Sequence, residues 1–311
     1  MSRNLNPREP IEPLSIGNVV SAGLVLYRSH LQMYLGIALI ATLWLAPANI
    51  ILFLLSSVWS GIASPLLPPW LLFLIWIPLI IFGLSKYLVN SALISRLAFD
   101  ELISKPERMS DARRQLNARN WSFFRVAFQV GLLLVLVYIA LAIIAVLVAG
   151  FLGIIFGLVL GGLFANQVTG SIVATIIGGV IAVVIIFGGL TWFFARWLIA
   201  EVPLAVEEGL NGKQSIDRSW ELSKTSAFRI QGVVLITFLV TLPILILTGY
   251  APQIFLLQLE PGSSLYWMVY SVSFIASLVS GILILPFWQA IKAVVYYDLR
   301  SRREGLGMQL R

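Results

Sequence analysis

The sequence predicts an all-α polytopic membrane protein: six transmembrane helices in three hairpins, with amphipathic cytoplasmic surface helices. Three observations carry this. Hydrophobic residues make up 59% of the chain and charged ones only 11%, whereas about a quarter of a soluble domain is charged. The mean hydropathy of +0.94 falls in the range of membrane-spanning chains. Two polar passages, residues 96–125 and 196–229, interrupt long apolar runs in the same manner.

Taken in order, residues 1–14 hold Pro7, Pro10 and Pro13 and read as an irregular cytoplasmic tail. They lack the apolar core of a signal peptide. Ser15 is the expected N-cap of a helix with Ile16, Val19, Val20, Gly23, Leu24 and Tyr27 on one face, lying on the membrane surface. Residues 15–298 form one membrane domain with hairpins at about 31–95, 126–200 and 230–298, followed by a cytoplasmic tail, 299–311. An uncharged Ser/Gly/Pro turn joins the first two spans. The polar turn 166–171 precedes the fourth span, and a loop with Pro252, Pro261 and Gly262 separates the last two.

The two polar passages read as copies of one connector. Each begins as the tail of an apolar helix with an acidic pair, Asp100 with Glu101 and Glu207 with Glu208. Each restarts after a serine, Ser110 or Ser215, and ends in Phe-Arg-aliphatic. With Ser15 these starts repeat at about 100-residue spacing, a degenerate threefold pattern. Every inward-running span also sets an aromatic ring four residues before a cation: Phe82 and Lys86, Trp192 and Arg196, Trp288 and Lys292. That spacing suits ordinary interfacial anchoring, with the cation reaching toward headgroups.

Sidedness decides the span count. From residue 126 the chain stays apolar for about 40 residues, enough for one crossing or two. With one crossing all 21 Lys and Arg fall on one side, and the opposite side carries only Glu260. Basic residues are retained in the cytoplasm, so one crossing is expected, with both termini inside a bacterial cytoplasmic membrane. The Gly-rich piece 150–162 is then a helix extension, an interfacial helix or a re-entrant turn. Glycines 153, 157 and 161 form a smooth stripe suited to helix packing.

Composition excludes several functions. Without cysteine there is no disulfide, thiolate metal site or thiol nucleophile, and the single histidine, His30, cannot make a histidine cluster. The net charge of +7 is not gathered into a basic run beside aromatic RNA-binding motifs, so no nucleic-acid partner is expected.

The segments EVPLAVEEG (201–209), DRSWELSK (217–224) and YYDLRSRREG (296–305) resemble the membrane domain of bacterial glycerophosphoryl diester phosphodiesterase and its stand-alone relatives. The resemblance implies a six-span module, attached in some members to a soluble phosphodiesterase barrel. Only a few residues follow Gly305, so that barrel is expected to be absent and diesterase activity is not carried over.

Two residue groups are candidates for function. A cytoplasmic charged belt comprises Glu207, Asp217, Arg218, Glu221, Asp298, Arg300, Arg302, Arg303 and Glu304. Arg218 with Glu221 and Arg300 with Glu304 sit at helical pairing distances. The belt reads as a headgroup- or partner-binding ring, or more economically as a salt-bridged network tying the connectors to the tail. Pro47 with Asn49, Gln129, Pro243 and Pro286 are the intramembrane polar and kink positions. A transporter uses broken helices in this way, but no charge lies deep in any span, so kinks for packing are the expectation. No catalytic constellation, metal site or cofactor is expected. The chain thus reads as a non-catalytic membrane module binding lipid headgroups or a protein partner at its cytoplasmic face. The alternative is a transporter or permease for a small or lipid-like solute, and third comes a membrane-embedded lipid enzyme.

Overall fold

The structure, a computed structural model, describes residues 15–59, 68–105, 107–163 and 167–305. These residues are predominantly helical, without a strand among them, and six helices are long and apolar enough to cross a membrane. The protein is an all-α polytopic membrane protein. Helix α1 (Ile16–Ser29) begins as expected at Ser15, whose side-chain oxygen accepts from the Asn18 N–H at 3.2 Å. The first hairpin is α2 (Leu31–Trp59) and α3 (Pro69–Leu102); α4 (Met109–Asn117) then leads to α5 (Asn120–Leu163) and α6 (Gln167–Trp197). Two short helices, α7 (Glu201–Val206) and α8 (Gly212–Ser223), precede the third hairpin. That hairpin comprises α9 (Ala227–Leu245), a π-helical turn (Ile246–Tyr250), α10 (Ala251–Leu256) and α11 (Ser264–Glu304). A surface helix and two spans therefore occur three times, with α7 as an addition.

Several expectations need correction. Ser110 and Ser215 are not caps. α4 starts at Met109 after Arg108, with no side-chain cap. α8 starts after Asn211, which forms a capping box with Gln214, leaving Ser215 inside the helix. The Gly-rich piece 150–162 is continuous with α5, so it is a helix extension. Gln167 through Ser171 belong to α6 rather than to a turn, and residues 164–166 lie outside the described residues, as does most of the turn between the first two spans. Pro252 sits in the first turn of α10 rather than in the loop, while Gly262 (φ 94°) makes the turn into α11.

The packed core lies at the polar end, not between the spans. α3 contributes Val89, Leu93, Ala98 and Phe99; α11 contributes Ile291, Val294, Val295 and Tyr296; and the turn after α6, α7 and α9 add Ile199, Leu204 and Ile230. Only 6% of the most apolar window of α5 and 11% of that of α6 is buried. The reason is physical: lipid tails are as apolar as leucine, so burial against protein gains little in the bilayer, while water at the polar end still drives it. α5, 44 residues long, measures about 66 Å against about 30 Å of hydrocarbon.

α1 shows the same effect. Its Val19, Val20, Gly23 and Leu26 are buried against α9 and α11, so its apolar face meets protein rather than the membrane surface. A side chain at Gly23 would run into Ile291, with a Cβ 2.3 Å from its Cδ1. Closer still to backbone is Gly83, where a Cβ would stand 2.4 Å from the carbonyl oxygen of Trp44 on α2. Gly83→Ala should therefore push α2 off α3 and lower stability in detergent by about 1–3 kcal/mol. Gly150→Ala, with nothing within 4 Å, should be neutral or slightly stabilising. Equal thermal unfolding of the two variants would contradict this packing.

Candidate functional site

The polar end is assembled by helix capping across elements. Ser215, Ser219 and Ser223 recur every four residues along α8, and all three are buried. Ser215 donates to the Ala200 carbonyl at 2.6 Å, Ser219 to that of Arg196 at 2.8 Å, and Ser223 to the same oxygen at 3.2 Å. One face of α8 thus satisfies carbonyls that the end of α6 leaves without partners. Two arginines do the same for α7 and the turn after it. Arg119 donates to the carbonyls of Leu204 at 3.1 Å and of Leu210, and Arg96 to that of Ala205 at 3.2 Å. Arg96 is held in turn by Glu107 at 2.8 Å. None of these roles was assigned from the sequence; the serine spacing on one helix face was the available signal.

The structure divides the charged belt. Glu207 accepts from Arg218 at 3.2 Å and from the Tyr296 hydroxyl; Glu304 accepts from Arg218 and, at 2.9 Å, from Arg300. Arg218 therefore locks the second connector to the end of α11. Burial by itself lowers the Arg218 pKa, but the flanking Glu207 and Glu304 outweigh it and raise the pKa above the usual value. Asp298 forms a second lock with Arg229 and Arg302. Arg303 donates to the Thr225 hydroxyl at 3.2 Å. Asp217 and Glu221 are exposed and make no ion pair among the described residues. The expected Arg218–Glu221 pair is not formed, because Arg218 turns to the two glutamates instead.

The aromatic–cation pairs also differ from the expected anchors. Lys86 lies 5.8 Å from the Phe82 ring. Arg196, however, is 3% exposed and stacks 3.9 Å from the Trp220 ring, turned into the protein. Lys292 pairs with Glu201 at 2.7 Å. The second connector supplies the partners that draw both cations inward.

Pro47, Pro243 and Pro286 lie inside α2, α9 and α11, which continue past them, so none divides a span into two half-helices. Pro243 is followed by the π-helical turn, a local widening of the helix. Asn49 is half-buried and Gln129 is exposed on α5. Two polar groups absent from the candidates join spans: Gln231 donates to the Gly188 carbonyl at 3.2 Å and to the Thr191 hydroxyl at 2.6 Å, tying α9 to α6, and Gln289 donates to the Ser91 hydroxyl and accepts from Ser95, clamping α11 to α3. Ser91 and Ser95, one turn apart on a small-residue face, were the readable half of that clamp.

Beside this clamp a groove of about 510 Å³ opens between α3, α6, α11 and the π turn. Phe194, Leu245, Leu285 and Trp288 supply apolar walls; Ser91, Ser280 and Gln289 supply polar groups; the Glu201–Lys292 pair stands where α11 enters the charged end. Neither Asn49 nor Gln129 lines it. Among the described residues no three His, Asp or Glu side chains converge as a metal site would require. Comparison with protein-family models, curated proteins and solved structures returned no match.

The division of the belt is testable. Arg218→Ala should cost about 1–3 kcal/mol of stability, because two partly buried carboxylates lose a charged donor. Asp217→Asn, at an exposed position without an ion pair, should leave thermal unfolding within about 0.5 kcal/mol of the parent. Matching losses in the two variants would mean that the belt does not hold the connectors.

Proposed function

We propose that the chain is a non-catalytic integral membrane module that binds a membrane lipid in the groove between its hairpins. The groove is the observation that carries this reading. It joins an apolar cleft, suited to an acyl chain, to a cation and an anion at its charged end, suited to a headgroup. The belt supports the reading only indirectly, since its central charges pair with one another and hold the walls in place. We place the charged end in the cytoplasm, in a bacterial cytoplasmic membrane with both termini inside, because retained basic residues set orientation. The likeness of residues 217–224 and 296–305 to the membrane domain of glycerophosphoryl diester phosphodiesterase fits this reading, since Arg218, Tyr296, Arg300 and Glu304 of the lock come from those segments.

A second reading, transport of a small or lipid-like solute, draws on one observation: the π turn lines the groove through Thr248 and Gly249. Such turns often mark places where a helix rearranges.

Gly281 gives a direct test, because it lines the groove and a Cβ there meets nothing within 4 Å. Gly281→Phe should fill the groove without disturbing the helices. Lipid retained per protein after gentle detergent extraction should fall severalfold, with thermal unfolding of the lipid-free protein unchanged. Undiminished lipid in a folded Gly281→Phe protein would refute the groove as the site.

A further inference from the structure

The groove between α3, α6, α11 and the π turn has a direction. Along α11 its lining follows one helix face from Ser277 to Lys292, about 22 Å of helix. That exceeds half of a hydrocarbon layer about 30 Å thick, so an acyl chain of one leaflet fits along it. Only two of the lining residues are charged, Lys292 of α11 and Glu201 of α7, and both stand at the same end.

This pair is neutral as a whole but not saturated. Lys292 Nζ donates to Glu201 Oε1 at 2.7 Å, and among the described residues neither side chain makes another hydrogen bond. An ammonium carries three donors and a carboxylate about four acceptor positions, so most of this capacity is unspent. The two side chains are 18% and 15% exposed, which leaves their charges weakly screened by salt.

Such a pair discriminates among headgroups by charge. A purely anionic headgroup brings Lys292 a phosphate but sets the same negative charge against Glu201. A headgroup with one phosphate and one ammonium serves both residues, and the four charges then alternate in sign. Each new contact is a charge-assisted hydrogen bond. The ammonium must be primary, because a quaternary one has no N–H to donate to the carboxylate. Lys292 is itself a primary ammonium seated on Glu201.

We infer that the lipid of this groove is a zwitterionic phospholipid with a primary ammonium, the phosphatidylethanolamine class, its phosphate on Lys292 and its ammonium on Glu201. The inference rests on the groove being a lipid site, as proposed above.

The test reconstitutes the full chain into vesicles of equal parts phosphatidylethanolamine, phosphatidylglycerol and phosphatidylcholine. The protein is re-extracted in mild detergent, and its retained lipids are counted by class with mass spectrometry. The parent should retain phosphatidylethanolamine severalfold above either other lipid, and Gly281→Phe should lose that excess. Glu201→Gln removes the acceptor for the ammonium and leaves Lys292 a lone cation, so the excess should pass to phosphatidylglycerol. A parent that retains all three classes equally, or favours phosphatidylglycerol or phosphatidylcholine, overturns the headgroup assignment even if Gly281→Phe lowers total lipid. Total lipid undiminished in folded Gly281→Phe overturns the groove as the site, and the headgroup assignment with it. An unchanged phosphatidylethanolamine excess in folded Glu201→Gln contradicts the role given to the ion pair. Should Glu201→Gln not fold, the parent's lipid ratio decides.

Discussion

Hydrocarbon offers no hydrogen-bond partner to a polar group and no hydrophobic reward for pressing one apolar helix against another. The rest of this structure depends on that constraint. The spans present aliphatic side chains to lipid along most of their length, as on α5 and α6, and the side-chain packing that selects one arrangement collects where the chain meets water. Three hairpins are held at one end, by α1 docked on α9 and α11, by serines of α8 closing the end of α6, and by arginines closing α7. In the membrane zone the joining contacts are of two kinds. Gln289 reaches Ser91 and Ser95, Gln231 reaches Gly188 and Thr191, and Gly83 lets α2 and α3 approach to backbone contact.

The charged residues belong to the same economy. Arg218 and Asp298 sit at crossing points where the second connector, α9 and α11 meet, and each gathers two partners of opposite sign. Paired in this way they orient neighbouring elements and leave little charge for outside ligands. The groove ends in an internal ion pair, which suits a lipid that brings both charges or neither.

Much of the architecture was legible because periodic apolarity and the distribution of lysine and arginine are strong signals for spans. The six long apolar helices followed from them, while the Ser15 cap and the Arg300–Glu304 pair followed from capping chemistry and helical spacing. Contacts between distant segments were not legible in the same way. Helical spacing suggested Arg218 with Glu221, but Glu304 lies 86 positions away and is brought close only by folding. The same holds for Lys292 with Glu201 and for Gln289 with its two serines. Ser215 illustrates a different difficulty: a serine at the start of a polar run suits a cap, yet Asn211 with Gln214 makes a reciprocal one and leaves Ser215 free to cap a neighbouring helix. Glu207 and Tyr296 form part of one network although nothing in their local sequence couples them.

The central claim is that every connector gathers at one end, opposite the turn before α11. The absence of native cysteine makes this directly measurable by single-cysteine labelling. Lys213→Cys on α8 and Glu260→Cys in the turn before α11 would be treated in intact, wall-stripped cells with a membrane-impermeant maleimide. The account predicts that Glu260→Cys labels from outside and that Lys213→Cys labels only after the membrane is opened. Labelling of both positions from the same side would contradict it.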